Sequence, residues 1–286
     1  MSEDERKLLD VAGDYRQAVR DGQAIPDADW QSARLLVTNK RLVLASDGSN
    51  RTIPHGRVRI PDDPSEYVTD PGSELALQIG SNVIVASTTN DADLTRTYCR
   101  ANIAGEVVLI RHPAVVGGVV QDDAAWGKAK ISIDEAAVTL GLPDGDRIGF
   151  DLEDVGTVET DTQTVLGDSR QVVAVEHTDG DGRSVETHLS GTDRHTSVLR
   201  TLFERIVDSR DDDYELSETE SQVLMALYSG VSPFEMSDFV GISVEEVEEI
   251  YQQLLEVGAV DEVRTRTEVT LNAQGRNMAS EAMSEQ

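Results

Sequence analysis

Cysteine, lysine and aromatic residues are scarce in this sequence, and long hydrophobic runs are missing. The single cysteine, Cys99, excludes an internal disulfide framework and a zinc site built from clustered thiolates. No apolar run approaches the ~20 residues that a membrane-spanning helix needs, and no apolar signal-peptide core follows the charged first residues. From these absences we expect a cytoplasmic protein without a transmembrane segment.

Acidic residues dominate the charged positions instead. The 286 residues include 54 Asp and Glu against 25 Lys and Arg, which gives a formal net charge of −29 and a pI of about 4.3. Such a charge destabilises a compact chain in dilute buffer, whereas salt at 1 M screens it beyond roughly 3 Å. Because 38% of the residues are apolar and fall in periodic runs, a disordered acidic chain is excluded. The composition is typical of a folded protein from a halophilic microbe with molar internal salt.

Short β-rich runs separated by turns fill the first two thirds of the chain, which predicts an α+β fold. In the first group a short helix at 5–11 precedes the strands, and an amphipathic helix at 91–101 closes them. A second group repeats this order and closes with a helix at 196–207, which indicates a diverged internal repeat. We therefore predict two pleckstrin-homology-like antiparallel units, at 1–121 and 122–210. The predicted strands are 34–38, 41–46, 51–60, 75–79, 83–87, 130–133, 137–142, 148–152, 171–178 and 184–189.

Beyond a charge-rich hinge at 208–214, the apolar period changes from two to 3.6. Two predicted helices begin with a capping box, formed by Ser217 with Glu220 and by Ser243 with Glu246. Together with a wing and a closing helix they predict a winged helix-turn-helix domain at 214–286. The predicted elements are helices at 217–228, 233–240 and 243–257, wing strands at 260–263 and 269–271, and a last helix at 272–283.

The charge of this domain argues against the DNA binding that winged helices usually perform through their third helix. Residues 217–258 contain nine acidic residues and no Lys or Arg. Because nucleic-acid affinity rests mainly on neutralising phosphates, we expect no DNA as a partner, and expect the third helix to contact a protein. A ligand-sensing transcription regulator remains the alternative function. The candidate winged-helix contact face is Glu245, Glu246, Glu249 and Gln253.

The opposite charge pattern lies in the first β unit, where residues 34–59 carry six basic residues against Asp47 alone. One interpretation is internal pairing, with the acidic loop at 61–72 or across strands. The other is a contact patch for an acidic partner, such as a receiver domain or an anionic lipid headgroup. Strand alternation predicts that two members, Arg57 and Arg59, share one face. The candidate partner-binding residues are Arg34, Lys40, Arg41, Arg57 and Arg59.

Motifs for catalysis, metals and cofactors are missing from the sequence. The five histidines lack metal-ligand spacing, and neither a Gly-rich phosphate loop nor a nucleophile elbow occurs. The Asp-Gly-Asp-Gly run at 179–182 resembles part of a calcium loop, but without the later ligands it predicts a hairpin turn. The Val-Gly-Gly-Val run at 116–119 predicts a close backbone approach between strands, and Cys99 is predicted in the core. We therefore predict no catalytic residue, no metal and no cofactor.

A resemblance adds a function to these patterns. The run Val-Val-Leu-Ile-Arg-His-Pro-Ala-Val-Val-Gly-Gly-Val-Val at 107–120, followed by Trp126 and Lys128, resembles the archaeal chemotaxis protein CheF, in its haloarchaeal type. The order of parts is similar too, from the opening Glu-x-x-Lys segment through the strand pair at 38–44 to the terminal winged helix. The resemblance covers essentially the whole chain.

This resemblance implies a non-enzymatic adaptor between the chemotaxis signalling system and the archaellum, the rotary swimming motor. The implied partners are the phosphorylated response regulator CheY, CheC, CheD and the archaellum accessory proteins. The implied location is the cytoplasm, with recruitment to the motor at the inner face of the membrane. The resemblance transfers no catalytic residue.

Overall fold

The chain divides into two compact units, Met1–Asp213 and Tyr214–Gln286. The first is a mixed α+β unit with two antiparallel sheets, and the second contains helices. None of the helices in the described residues is long and apolar enough to cross a membrane. The computed structural model describes residues 5–46, 48–70, 72–88, 93–211, 216–257 and 259–260.

The first sheet consists of antiparallel strands followed by one helix, α1 (Leu94–Ile103). Helix α1 begins after Asp93, whose carboxylate accepts a hydrogen bond from the backbone N–H of Arg96. The strands are β1 (Lys7–Arg20), β2 (Gln23–Ala24), β3 (Gln31–Thr38), β4 (Arg41–Ser46), β5 (Ser49–Pro54), β6 (Glu74–Ile79) and β7 (Asn82–Thr88). Their order is β5-β4-β3-β1-β7-β6, and β2 pairs with β1.

Residues 7–11 of the segment predicted as a helix at 5–11 belong to strand β1 instead. This strand pairs with β3 on one side and β7 on the other. Leu9, Val11 and Tyr15 share one side of it and pack against the core. At Gly13, on that same side, an added Cβ would overlap the carbonyl oxygen of Ser87 and lie 2.8 Å from Leu35 Cδ1. Burial between two neighbouring strands therefore overrides the local helical pattern.

The second sheet repeats the strand order of the first and is followed by α2 (Asp193–Asp211). The strands are β8 (Val107–Val116), β9 (Val119–Val120), β10 (Gly127–Ile133), β11 (Ala137–Gly141), β12 (Arg147–Asp151), β13 (Val155–Val165), β14 (Asp168–Thr178) and β15 (Ser184–Ser190). Their order is β12-β11-β10-β8-β15-β14-β13, with β9 paired to β8. Within the described residues, β13 alone has no counterpart in the first sheet, so the strand order supports the internal repeat.

Strands β8 and β9 belong to the second sheet, although the sequence analysis assigns them to the unit at 1–121. Leu109 of β8 pairs with Lys128 of β10, and Ile110 pairs with Leu189 of β15. Gly117 and Gly118 form the β8–β9 turn with φ values of 54° and 78°. No atom lies within 4 Å of a Cβ added at either glycine. The close approach predicted there is therefore wrong, and positive φ explains both glycines.

One apolar core is shared by the two sheets and by both of their helices. Helix α1 packs against α2, and Arg194 of α2 donates to the Asn102 side-chain oxygen of α1 at 2.6 Å. Cys99 is fully buried, as predicted, and burial raises the pKa of its thiol. Large side chains with at most 1% exposure include Leu35, Ile84, Tyr98, Ile131 and Phe203.

The extended segment predicted at 51–60 ends earlier than expected. Strand β5 stops at Pro54, and His55–Arg57 form a 3-10 turn. The imidazole Nε2 of His55 lies 2.7 Å from the carbonyl oxygen of Thr38, and the ring is buried. This buried contact holds the turn, and it was not visible in the local strand pattern.

The helical unit contains α3 (Glu218–Tyr228), α4 (Met236–Val240) and α5 (Val244–Glu256). Both predicted capping boxes are present, at Ser217 and Ser243. Gly241 ends α4 with a φ of 81°. The unit has its own core of Val223, Ala226, Met236, Val247, Ile250 and Leu254. The predicted second wing strand and last helix, and most of the first wing strand, lie outside the described residues.

Candidate functional site

Arg34, the first residue of the predicted patch, is held by Asp10 of β1. Its Nε and Nη2 donate to the two carboxylate oxygens at 2.5 and 2.8 Å. Lys7 Nζ lies 2.5 Å from the same carboxylate. The hydrogen bonds from Arg34 and then Lys7 lower the pKa of Asp10 to about 2. Arg34 therefore forms an ion pair across neighbouring strands, as the internal-pairing interpretation expects.

Arg41 is bound in the same way, by Glu5. Its Nε and Nη2 donate to the carboxylate at 2.7 and 2.8 Å. The hydroxyl of Thr38 donates to Glu5 Oε1 at 2.9 Å, and the Glu5 residue is 8% exposed. Hydrogen bonding by Arg41 lowers the pKa of this carboxylate. A second patch member is thus committed to an internal contact.

Arg57 and Arg59 are more open to a partner than Arg34 and Arg41. Arg59 Nη1 lies 3.8 Å from Asp62 in the acidic loop, a loose contact with an exposed carboxylate. Arg57 is exposed, and the described residues offer it no ion-pair partner within 4 Å. Lys40 is exposed at the β3–β4 turn. Because Arg57 ends a 3-10 turn, strand alternation does not fix its direction, and the shared face with Arg59 stays a prediction.

The segment that carries the family resemblance forms β8 and the β8–β9 hairpin. Arg111 donates from Nε to the carbonyl oxygen of Ala124 at 2.9 Å and from Nη2 to that of Gln121 at 2.5 Å. This guanidinium therefore ties down the loop that follows the hairpin. At the hairpin tip, Val119 and Val120 are 65% and 59% exposed. The segment thus combines structural contacts with an exposed apolar tip.

Two histidines of the second sheet share one hydroxyl in its interior. His112 Nδ1 and His177 Nε2 lie 2.7 and 2.8 Å from Thr187 Oγ1. Phe150 stacks on the His177 ring, with the centroids 4.0 Å apart. Burial, followed by the neighbouring His177, lowers the pKa of His112 to about 4, and burial also lowers that of His177. A neutral, packed pair of this kind explains both rings as structural residues.

No group of three or more His, Cys, Asp or Glu side chains that could hold a metal ion occurs in the described part of the chain. The hairpin turn at 179–182 is present, with Asp179 N–H donating to Arg183 O at 2.9 Å. Arg183 also donates to the Asp179 carboxylate, at 2.9 Å from Nε and 2.6 Å from Nη2. The carboxylate of this turn therefore pairs with an arginine.

The predicted contact face of α5 lies at the surface of the helical unit. Glu245, Glu249 and Gln253 are exposed, and so is Glu246. The Glu246 carboxylate, however, accepts the backbone N–H of Ser243 at 2.9 Å, and this capping hydrogen bond lowers its pKa. Exposed apolar side chains occur in the same unit, at Phe234 (86%), Phe239 (65%) and Val244 (58%). The surface thus offers both carboxylates and apolar contact area.

A cationic groove, which we define by Arg6, Arg100, Lys130 and Arg147, lies beside β10, β11 and β12. Its volume is about 810 Å³. The four cations come from four separate segments, so no local run of basic residues marks them in the sequence. This groove was not predicted, because only the strand register brings Lys130 and Arg147 together.

The two-sheet unit matches a known protein family. Residues 7–209 match the family described as archaeal chemotaxis signal transduction system protein F. The chain belongs to this CheF family. It is 39% identical to taxis protein CheF1 of Halobacterium salinarum over 292 residues, which cover 100% of each chain. Taxis protein CheF2 of the same organism is 24% identical over 237 residues, covering 78% of this chain and 81% of the relative.

The CheF match coincides with the two sheets and their helices, whereas the helical unit matches a different family model. Residues 215–284 match a domain of unknown function. The boundary between the two matches falls close to the boundary between the compact units. The resemblance inferred from the run at 107–120 is thereby confirmed. The CheF-matching region contains Arg34, Lys40, Arg41, Arg57 and Arg59.

Proposed function

We propose that this CheF-family chain is a non-enzymatic adaptor that links the chemotaxis response regulator CheY, with CheC and CheD, to the archaellum motor switch. The observation that carries the proposal is the full-length, 39% identity to taxis protein CheF1. In this proposal the two sheets act as pleckstrin-homology-like units and the helical unit as a winged helix. The repeated strand order supports the former, and the two capping boxes support the latter.

Arg57 and Arg59 are the patch residues that we propose to meet phosphorylated CheY. Arg34 and Arg41 already bind carboxylates of this chain, so their guanidinium groups have less capacity for a partner. A phosphoryl group adds about −1.5 to −2 charge and strong acceptor oxygens, which suit arginine donors. Because molar salt screens charges beyond roughly 3 Å, recognition would rest on direct hydrogen bonds between the two proteins.

The helical unit is proposed as a second protein-contact module for the archaellum accessory proteins. The exposed Glu245, Glu249 and Gln253 supply polar contacts, and Phe234 and Phe239 supply apolar area. Helix α5 has no Lys or Arg, so phosphate neutralisation, the main source of DNA affinity, is missing from it.

The test is binding of phosphorylated CheY to the full chain in molar KCl. Replacing Arg57 and Arg59 together by Glu should weaken binding by about 1.5–3 kcal/mol for each charged hydrogen bond lost. Cells that carry the variant should swim with fewer reversals. The matched control replaces Arg20 and Lys128 by Glu, since both are exposed and lie outside the patch and the cationic groove.

Unchanged affinity and reversal frequency in the Arg57→Glu, Arg59→Glu variant would exclude the patch as the CheY contact. Failure of the unaltered chain to capture CheY, CheC or CheD from a halophilic lysate in molar KCl would reject the adaptor role itself.

A further inference from the structure

The cationic groove has an excess of positive charge that the described residues do not neutralise. Four cations line it, whereas Glu135 is the only carboxylate among its lining residues. No carboxylate of the described residues forms an ion pair within 4 Å of Arg6, Arg100, Lys130 or Arg147. In a chain with a formal charge of −29, a recess of this sign is unusual. It contrasts with the patch, where Arg34 and Arg41 are paired.

The strand register places two of these cations in one row. Lys130 of β10 pairs with Gly141 of β11, which in turn pairs with Arg147 of β12. Paired residues on neighbouring antiparallel strands point to the same face. The Lys130 and Arg147 side chains therefore lie on one face of the sheet, on either side of Gly141. The two Cα atoms are about 10 Å apart, since each strand spacing is about 4.8 Å.

Small residues form the floor between these cations. Ser132 and Thr139 are paired one step further along the same face, and both line the groove. A Cβ added at Gly141 would meet only the carbonyl oxygen of Lys130, at 3.8 Å. The space above Gly141 is therefore open, and hydroxyl groups are available along it.

Arg100 of α1 adds a donor that has no acceptor. Its Nε is buried and has no hydrogen-bond partner in the part of the chain that the structure describes. Burial lowers the pKa of this guanidinium. The guanidinium adds a third cation to the groove beside Lys130 and Arg147.

We propose that the cationic groove binds an acidic segment of a partner protein in an extended conformation. Carboxylates on alternate residues of an extended segment lie about 6.6 Å apart on one side, within reach of the long Lys130 and Arg147 side chains. Leu8, 48% exposed, and Ala104 add apolar contact area to the groove.

The test measures binding of a fluorescent peptide of alternating glutamate and leucine to the full chain in about 2 M KCl, where only contact-range charge interactions survive. We expect saturable binding that falls by about tenfold or more in the Lys130→Glu, Arg147→Glu variant, which loses charged hydrogen bonds. The Gln version of the peptide should bind correspondingly weaker. The Arg20→Glu control, at an exposed residue of β1, should bind the acidic peptide normally.

A variant that changes only the shape of the groove distinguishes a steric loss of peptide binding from a loss caused by altered charge or by misfolding. Gly141→Val retains every cation but fills the floor, and valine suits a strand; we expect it to lose peptide binding while its circular dichroism stays normal. Lys130→Gln, Arg147→Gln provides a neutral pair if the charge reversal fails to fold. Equal affinity for the Glu and Gln peptides, or unchanged binding in Gly141→Val, would overturn the proposal.

Two further outcomes would also contradict binding of an acidic segment in the cationic groove. Tripolyphosphate binding without peptide binding would make the groove a phosphate site, and flotation with anionic vesicles through the same residues would make it a lipid site. The inference does not depend on CheY, because the probe is a peptide. Loss of CheY binding in the Arg57→Glu, Arg59→Glu variant leaves it standing.

Discussion

The two sheets of this CheF-family chain share one strand order but use different polar chemistry. In the first, the carboxylates of Asp10 and Glu5 bind Arg34 and Arg41 across the sheet surface. In the second, His112 and His177 meet at one hydroxyl in the interior. Alternating apolar residues and turns are enough to fix the strand order. The polar contacts are then free to diverge, so a repeated architecture does not imply a repeated binding site.

Removing salt should have the largest effect on folding stability, and it should affect both sheets alike. The net charge of −29 is spread over the chain, and at ~0.05 M KCl its repulsion is no longer screened at short range. We expect both sheets to unfold together between ~3 M and ~0.05 M KCl, measured by circular dichroism. An unchanged spectrum across this range would contradict the halophilic interpretation of the composition.

Truncating a side chain in the shared core should have the second largest effect on folding stability. Phe203 is fully buried in the cluster that joins the two sheets. Phe203→Ala should lower the free energy of unfolding by about 3–5 kcal/mol, and hydrogen exchange should rise in both sheets. Met236→Ala, in the separate core of the helical unit, is the matched control. Faster exchange in one sheet alone would show that the two sheets do not share one cooperative core.

Mild acid should destabilise the second sheet through its histidine pair, and it also acts on the first through the buried His55, whose pKa burial lowers. The folded-state pKa of His112 is about 4, below its ordinary value of 6.5. The stability that its neutral ring contributes is therefore full above pH 6.5 and lost as the pH falls towards 4. Thr187→Val, which removes the shared hydroxyl, should lower the stability of the second sheet at neutral pH. An NMR titration of the His112 ring with a midpoint near 6.5 would contradict this prediction.

Stronger acid should have the smallest effect, and it should reach both sheets, because arginine also holds the pKa of Asp179 in the second sheet at about 2. Asp10 has a folded-state pKa of about 2 against an ordinary 3.8. The stability from its ion pairs is therefore present above pH 3.8 and lost as the pH falls towards 2. Arg34→Gln should raise the pKa of Asp10 more than Lys7→Gln does, because Arg34 donates two hydrogen bonds to it. Carbon-13 NMR of the carboxyl group measures both values, and equal shifts would reject this ranking.

Much of the fold could be predicted from local patterns. Alternation identified most strands, and each Ser–Glu pair three residues apart identified a helix start. Strand β1 was missed because its two adjacent leucines, Leu8 and Leu9, fit a helix until β3 and β7 bury one side of it. Strand β13 was missed because it is a polar edge strand with little apolar alternation.

The candidate sites were harder to predict than the fold. A run of cations drew attention to the patch, but Asp10 and Glu5, which bind Arg34 and Arg41, are 24 and 36 residues away in sequence. The cationic groove depends on the register of β10, β11 and β12. Sequence spacing contains neither piece of information, since both arise from long-range strand pairing.

The shared core limits how the repeat can be taken apart. Helices α1 and α2 pack against each other, and Tyr98 of one and Phe203 of the other belong to the same cluster. Either half produced alone would expose this surface to water and, at molar salt, would tend to associate with another copy of itself, because salting-out ions strengthen apolar contacts. The surface that each half would offer to a second molecule is thus the interior of this one, so the halves cannot be engineered as separate modules.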